Sequence, residues 1–444
     1  MLSIKKIILT ALLAVVAGCL AFSSPAMDSS SSAADSTQGT QPFDWMEKIK
    51  FSGDIRARVE GTNNLDLNSE QDDSDQRLLT RIRLMMEAEF CPEFKAVVRL
   101  RDAREFFSEA SPNTNEDSVD LSLAYVDVKA PQEIPLTLRL GRQELVYGDK
   151  RFVSNSEWSA GGKSFDAAKL TWKEGSSWVD LFWGSVVKTE RYSFDDSDKN
   201  THLAGLYGSL QPWKNTVADA YLLYKYTDEE NTKGENGSLG GQDIYTLGSR
   251  VKGKQGSWDY NAELAGQFGK YGSDDIRAWA LALAGGYTFD SPLKPRIGME
   301  LNHGSGDSDP KDGTHESFDI LYPSNHYKYG YNDLFSLRNL TDLRLVSSCQ
   351  PAKKWLVTGD CHFYWLDDVN DAWYDCRGKV IRKDSTGTAD SFLGEEIGLL
   401  VNYNLNPNWK FESGYAHFFA GPYLEDTGSS DDTDFGWLQV VYSF

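Results

Sequence analysis

The chain has 444 residues, a formal net charge of −21 and an aromatic content of 13%. The negative charge excludes nucleic acid as an expected partner, because surfaces that bind nucleic acid are basic. Only one apolar run approaches the roughly 20 residues of a membrane-spanning helix, and it lies at the N-terminus. Composition therefore argues against a bundle of membrane helices.

The N-terminus carries an export signal. Two lysines precede an apolar run from Ile7 to Phe22, and small residues end at Ala26. This order predicts a signal peptide over residues 1–26 with cleavage after Ala26. Cys19 closes a lipobox-like stretch, so a lipidated Cys19 stays open as the alternative. Both alternatives take the chain out of the cytoplasm.

A polar segment follows the signal, and strand patterns then continue to the end of the chain. Residues 27–42 are polar without an apolar period, and we predict a flexible mature N-terminus over residues 27–50. Apolar and polar residues alternate at period 2 in residues 51–60, 77–90 and 258–268, which indicates strands. These stretches run to about 10 to 14 residues, whereas strands of soluble proteins are nearer 5 or 6. A tilted membrane strand needs about 9 to 11 residues.

The connections between strands alternate between long and short. Long polar connections such as residues 61–76, 148–162 and 304–337 take turns with tight ones such as residues 91–93. Long outer loops and short periplasmic turns are typical of bacterial outer-membrane barrels. In hydrocarbon every backbone polar group must be paired, so strands cross only as a closed barrel. We predict an all-β fold, a transmembrane antiparallel up-and-down β-barrel of about 18 strands over residues 51–444.

The last residues agree with this fold. Leu438, Val440, Tyr442 and Phe444 alternate up to a terminal aromatic residue. This ending resembles the signal that the barrel-assembly machinery recognises, so we expect that machinery to be a partner through Phe444. The predicted location is the bacterial outer membrane, with its lipid and lipopolysaccharide as further partners.

If apolar side chains face lipid, the opposite parity faces the lumen, and this set is rich in cations. Arg104 and Arg142 have the apolar parity but lie near strand ends, where bulges can shift parity. A ring of cations attracts anions, and the planar guanidinium suits carboxylates. The predicted pore-lining, substrate-binding residues are Arg56, Arg58, Arg81, Arg83, Arg99, Arg101, Arg104, Arg139, Arg142, Lys169, Arg250 and Arg344.

Acidic residues of the same parity offer another interpretation, in which arginines and carboxylates form ladders of salt bridges that only support the wall. They include Asp54, Glu60, Glu87, Glu89, Asp180, Asp219, Asp259, Glu263, Glu300, Asp342, Asp360 and Glu396.

The sequence predicts no enzyme, metal site or cofactor. It contains neither an HExxH nor a G-x-S-x-G element. The acidic stretch at residues 306–313 fails the ligand register of an EF-hand at Lys311. A rim site built on His315 and His326, with Ser317 and Asp319, stays open as the enzymatic alternative.

Three segments resemble the alginate export family of outer-membrane proteins: residues 138–170, residues 317–343, and Gly414 to Tyr423. The similarity covers nearly all of the chain after about residue 50. It implies an 18-stranded barrel with an electropositive arginine constriction that passes an acidic polysaccharide outward, gated by loops. Carried over, Arg142 in the GRQEL segment is the best match to a pore arginine, followed by Asp102 with Arg104 and by Arg81 with Arg83. His417 and the acidic outer loops depart from the family pattern.

These observations predict an outer-membrane porin that passes anionic sugars or an alginate-like acidic polysaccharide by passive diffusion. One alternative is a general or neutral-carbohydrate porin, in which the lumen charges cancel. Another is a surface binding protein that works through its acidic loops.

Overall fold

The computed structural model describes residues 48–108, 115–131 and 134–444. The predicted signal peptide and nearly all of residues 27–50 lie outside this part, and the first strand begins at Ile49. Eighteen barrel strands occur in the described ranges. They are β1 Ile49–Asn63, β2 Asp75–Cys91, β3 Phe94–Phe106, β4 Asp117–Lys129, β5 Leu136–Gln143, β6 Phe165–Glu174, β7 Ser177–Lys188, β8 Thr201–Trp213, β9 Thr216–Lys233, β10 Leu239–Gln255, β11 Trp258–Tyr271, β12 Asp274–Thr288, β13 Arg296–Gly304, β14 Leu340–Cys349, β15 Trp355–Trp365, β16 Phe392–Asn404, β17 Trp409–Ala420 and β18 Thr433–Ser443.

Each strand pairs antiparallel with the next, and the last pairs with the first. Ile55 of β1 lies opposite Tyr442 of β18, and the backbones of Gly53 and Phe444 exchange two hydrogen bonds of 3.0 Å. A side chain at Gly53 would clash with the Phe444 ring, so glycine lets the chain end close the seam. The predicted all-β, 18-stranded antiparallel barrel is confirmed.

The period-2 pattern sorts side chains between the two faces of the wall. On β1, Ile55 and Val59 point outward and are 45% and 52% exposed, whereas Arg56 and Arg58 point inward and are buried. The outward face is apolar because it meets hydrocarbon, and the closed hydrogen-bond ladder leaves no unpaired edge.

Two long connections fold into the barrel instead of standing outside it. We call them loop A (residues 144–164, between β5 and β6) and loop B (residues 305–339, between β13 and β14). Their buried apolar residues, among them Phe152 and Phe335, join one core with wall residues such as Phe165 and Tyr221. The two loops pair with each other, since Tyr322 donates its N–H to Phe152 at 2.8 Å and Ser154 donates to Tyr322 at 2.9 Å.

The remaining regular structure is small. Four short strand pieces, Asp196–Ser197, Thr314–His315, Ala372–Tyr374 and Val380–Lys383, lie in the long connections. Residues 48–108, 115–131 and 134–444 contain one α-helix, α1 (Pro422–Thr427), which begins at a proline that suits the first helical turn. In the part of the chain that the structure describes, no helix is long and apolar enough to span a membrane.

Candidate functional site: two charged walls inside the barrel

Four arginines of β1 and β2 form one inward-facing patch, which we call the basic wall: Arg56, Arg58, Arg81 and Arg83. The antiparallel register places Arg56 opposite Arg81, and Asp54 opposite Arg83. Alternation on both strands brings all four guanidiniums to the lumen side. Since like charges repel, such a patch needs acceptors close by.

Loop A supplies the main acceptor. The carboxylate of Glu157 accepts hydrogen bonds from Arg81 at 2.7 Å and from Arg83 at 2.9 and 3.1 Å. Asp54 on β1 also accepts from Arg83, at 2.7 Å. Burial alone would raise the pKa of the Glu157 carboxyl, but the guanidiniums of Arg81 and Arg83 outweigh it and lower this pKa to about 2. Glu157 is therefore ionised at any physiological pH.

The other two arginines hold the backbone of the same loop. Arg56 donates to the carbonyl of Glu157 and Arg58 to that of Trp158, each at 2.9 Å. The Trp158 ring lies between the Arg58 guanidinium, 3.5 Å from its centroid, and the stacked His326 ring of loop B, at 3.6 Å. Stacking of a guanidinium on an indole is favourable and fixes the ring plane. The tip of loop A is thus clamped between wall and loop B.

A second patch, which we call the acidic wall, consists of Glu263 on β11, Glu300 on β13, Asp360 on β15 and Glu396 on β16. Loop A reaches it through Arg151, which lies 3.3 Å from Glu263 and 3.2 Å from Glu300. Arg151 also donates to Asn302 at 2.9 Å and to the Tyr329 hydroxyl at 2.6 Å, and it is buried. Although burial opposes its charge, the pKa of Arg151 is raised by Tyr329 and the two glutamates.

Loop B is bound to the acidic wall as well. Glu396 accepts from the Tyr331 N–H at 2.6 Å and from the Asn332 side chain at 2.9 Å. Gly330, which precedes them, has a φ of +92°, and a side chain there would clash with Tyr364 and Glu396. Glycine is thus required where the loop backbone touches the wall.

Six more predicted cations face the lumen, and each has a carboxylate partner. Arg99 bonds Glu144 of loop A at 2.6 Å. The other pairs are Arg101 with Asp117 and Asp195, Arg139 with Asp127, Lys169 with Asp180, Arg250 with Asp219, and Arg344 with Asp360.

Arg104 and Arg142 do not face the lumen, which corrects the prediction for these two. The β2–β3 register runs unbroken from Leu78 to Glu89, so Arg104 keeps the outward parity and pairs with Asp102. The β4–β5 and β5–β6 registers contain no bulge either. Arg142 therefore lies on the opposite face of β5 from Arg139, where it bonds Asp166 at 2.9 and 3.1 Å.

The sequence analysis missed the residues through which loop A binds both walls: Arg151, Glu157 and Trp158. All three lie in a connection without a repeating pattern, so periodicity could not select them. The available signal was a run with charged and aromatic residues, Glu157 and Trp158, inside an otherwise small and polar loop.

Metal and catalytic chemistry find little support among the described residues. One group, Asp117, Asp120 and Asp195, has carboxylate oxygens within 4.8 Å of one another. Arg101 binds Asp117 and Asp195, and the backbone N–H groups of Leu121 and Asp195 donate to Asp120. Existing donors thus already occupy most of these oxygens.

The predicted histidine alternative does not assemble at the rim. His315 stacks on Tyr271 and His326 on Trp158, while Ser317 donates to Asp371 at 2.5 Å instead of to a histidine. Elsewhere Ser185 lies 2.8 Å from Nδ1 of His202, whose Nε2 is 3.3 Å from Asp228. Ser185 is only 7% exposed, so this chain of bonds ties three strand ends together and does not present a nucleophile.

The comparisons with known proteins agree with this architecture. A family model described as alginate export matches residues 47–437. No curated protein matches the sequence.

Solved porin structures share the fold. OccAB1 of Acinetobacter baumannii is 12% identical, with 90% of this chain and 97% of that chain covered and a TM-score of 0.62. OccK2 (OpdF) of Pseudomonas aeruginosa, solved in complex with glucuronate, is 12% identical, with 90% and 98% covered and a TM-score of 0.60. OccK5 (OpdH) of the same species is 15% identical, with 90% and 99% covered and a TM-score of 0.56. The chain therefore belongs to the alginate export family and is a β-barrel porin of the bacterial outer membrane.

Proposed function

We propose that this porin passes carbohydrates that carry carboxylate groups, such as uronates or an alginate-like acidic polysaccharide, by passive diffusion. The proposal rests on the hydrogen bonds that Arg81 and Arg83 donate to the Glu157 carboxylate. A guanidinium fork binds any carboxylate of suitable geometry, whether it belongs to the loop or to a sugar.

The basic wall also has unused donors. Arg56 has no carboxylate within 4.0 Å among the described residues, and its Nε and Nη2 are buried without a hydrogen-bond partner. Arg81 Nε is unpaired in the same way. Buried donors without acceptors cost free energy, so an incoming carboxylate oxygen would be favourable here. The family name and the glucuronate bound to OccK2 agree with this substrate class.

A general or neutral-carbohydrate porin is the second candidate. It is favoured by the ion pairing of the lumen cations, since every predicted one apart from Arg56 has a carboxylate within 4.0 Å. Complete cancellation would leave no selectivity for anions.

Single-channel recording of the purified protein in planar bilayers separates the two candidates. We expect anion selectivity and current block by a mannuronate trisaccharide. Arg83→Ala should weaken the block about tenfold or more, since hydrogen bonds to charged groups contribute about 1.5 to 3 kcal/mol. Arg104→Ala is the matched control, because Arg104 carries the same charge on the outward face.

The proposal is overturned if the wild-type channel shows no anion selectivity and ignores the trisaccharide. It is also overturned if Arg104→Ala weakens the block as much as Arg83→Ala does. A reversal potential near zero together with block by neutral and acidic sugars alike would favour the general porin.

The predicted partners stay predictions. We infer that lipopolysaccharide surrounds the outward face and that the barrel-assembly machinery recognises Phe444. The Phe444 side chain is 49% exposed at the seam, so it is accessible for recognition. Loss of outer-membrane insertion on deletion of Phe444 would support the second partner, and normal insertion would contradict it.

A further inference from the structure

A cavity lies between the stem of loop A and the periplasmic turns of β4 to β7. Its volume is about 430 Å³, within the range of about 300 to 1,000 Å³ that ligand pockets usually have. Lys173 and Trp178 line it beside the turn that joins β6 to β7, and Tyr147 of loop A lines it from above. Because β5 ends at Gln143 and loop A then turns into the barrel, loop A covers the outer side of the cavity.

Three cations line the cavity, and two of them are paired with carboxylates. Arg139 is held by Asp127 at 2.6 and 2.8 Å, and Lys169 lies 3.3 Å from Asp180. Lys173 is exposed and has no carboxylate within 4.0 Å among the described residues.

The carboxylate of Asp180 is fully engaged. Besides Lys169, it accepts from the Tyr147 hydroxyl at 2.9 Å and from Thr171 at 2.6 Å. Its remaining capacity to neutralise Lys173 is therefore small.

An aromatic face lies beside this free ammonium group. Trp178 stacks on Tyr207 with centroids 5.6 Å apart and planes 13° apart, and Tyr207 stacks in turn on Tyr147 at 4.7 Å. Tyr147 and Tyr207 are buried, whereas Trp178 is half-buried at the end of the stack. The stack holds the indole in one orientation before any ligand arrives, which lowers the entropic cost of binding.

We propose that this cavity is a periplasmic binding subsite for one or two pyranose units that carry a carboxylate. The apolar C–H face of the ring packs on Trp178, and the sugar carboxylate bonds Lys173, with Lys169 behind it. An aromatic face with a few placed polar groups gives both affinity and orientation. The subsite lies on the periplasmic side of loop A, away from the outer mouth of the pore. A sugar bound there would reach the basic wall from the periplasm. This inference rests on the proposed function, because it assigns a first docking place for the same class of substrate.

Titration calorimetry of the purified, detergent-solubilised protein tests the subsite. The probes are a mannuronate trisaccharide and the uncharged mannotriose. We expect Trp178→Ala to weaken binding of the trisaccharide about tenfold and Lys173→Gln about threefold. The control Trp172→Ala changes a tryptophan of the adjacent strand that faces outward, and Lys254→Gln removes a lysine near another periplasmic turn. Both controls should bind like the wild type.

Sided addition in the bilayer provides a second readout. Trisaccharide added from the periplasmic side should block Trp178→Ala and Lys173→Gln less than the wild type. Addition from the outer side should give equal block in all three proteins. Lys173 is exposed, so Lys173→Gln keeps the test valid if Trp178→Ala fails to fold.

Wild-type affinity in both Trp178→Ala and Lys173→Gln overturns the subsite, even if Arg83→Ala abolishes block and the proposed function stands. Equal losses in the two controls overturn it as well. The opposite outcome is also distinguishable. If Trp178→Ala and Lys173→Gln weaken equilibrium binding while Arg83→Ala leaves selectivity and block unchanged, the subsite is supported and the proposed function fails.

Discussion

The basic wall and the acidic wall both bind loop A, but they do so in different ways. At the acidic wall, Arg151 of loop A contacts two glutamates, an amide oxygen and a tyrosine hydroxyl. Arg344 of the barrel wall pairs with Glu300 and Asp360 beside it. The basic wall places four arginines around one loop carboxylate, Glu157, and one wall carboxylate, Asp54, with Glu60 beside Arg58. Every side-chain nitrogen of Arg151 therefore has an acceptor, whereas acceptors are too few for the arginines of the basic wall.

This difference distinguishes a structural contact at the acidic wall from a ligand-binding site at the basic wall. A buried charge with all its hydrogen bonds made has nothing to gain from a ligand, so the Arg151 contact is structural. Unpaired buried donors such as those of Arg56 do gain from a new acceptor. A carboxylate that enters the barrel would therefore be bound at the basic wall and would compete there with Glu157.

The largest expected effect comes from breaking the anchor. Arg151→Met leaves the buried Glu263 without its cation and takes one of two cations from Glu300, which still pairs with Arg344. Breaking a buried pair costs about 3 to 5 kcal/mol. We expect loop A to leave the acidic wall, with a larger single-channel conductance and faster proteolysis of the loop. Lys150→Met, at the exposed neighbouring position, is the control and should change neither. Unchanged conductance and proteolysis in Arg151→Met would contradict the anchor.

A smaller change removes only the competitor at the basic wall. Glu157→Gln keeps the size of the side chain but takes away the charge that Arg81 and Arg83 hold. We expect stronger anion selectivity and up to about tenfold tighter block by the mannuronate trisaccharide, because the guanidiniums are left without their strongest acceptor. Glu70→Gln in an exposed outer loop is the control. Selectivity and block that match the wild type would show that Glu157 does not occupy the substrate position.

The smallest effect concerns a charge of loop A that belongs to neither wall. Burial lowers the pKa of Lys163 to about 8, and no carboxylate lies within 4.0 Å among the described residues. The ammonium is charged below this pH and neutral above it, so anion selectivity should fall modestly as the pH rises through about 8. The pKa of Lys163 in the folded protein lies below the value of about 10.4 for a free lysine. The free energy of unfolding should therefore rise with pH between about 8 and about 10.4.

Reversal potentials between pH 6 and 10 measure this titration. Lys163→Met should remove the step near pH 8, whereas Lys150→Met should leave it in place. A step that persists in Lys163→Met would assign it to another group. The Glu157 carboxyl contributes no step in this range, since its pKa lies near 2.

The alternation of residues along a strand correctly predicts which face of the barrel wall a charged side chain occupies. Arg56, Arg81 and Arg250 face inward as their alternation predicts, because neighbouring strands in register share one face. Arg104 and Arg142 were assigned to the lumen against their parity, on the expectation of a bulge and on resemblance. The β2–β3, β4–β5 and β5–β6 registers are unbroken at these positions, and the shifts in the β3–β4 pairing place the extra residues on β4, so the simple alternation holds and both face outward.

The sequence by itself determined the barrel, its number of strands and the inward face of most charged residues. These properties follow from local patterns, since period 2 and long strands are written in consecutive residues and hydrocarbon demands closure. Only the tertiary structure decided that loops A and B fold inward and which charges they meet. Arg81 and Glu157 are 76 residues apart, and Arg151 and Glu263 are 112 residues apart. Contacts between an irregular loop and a distant strand have no periodic signature, so they exist only once the sheet has closed around the loop.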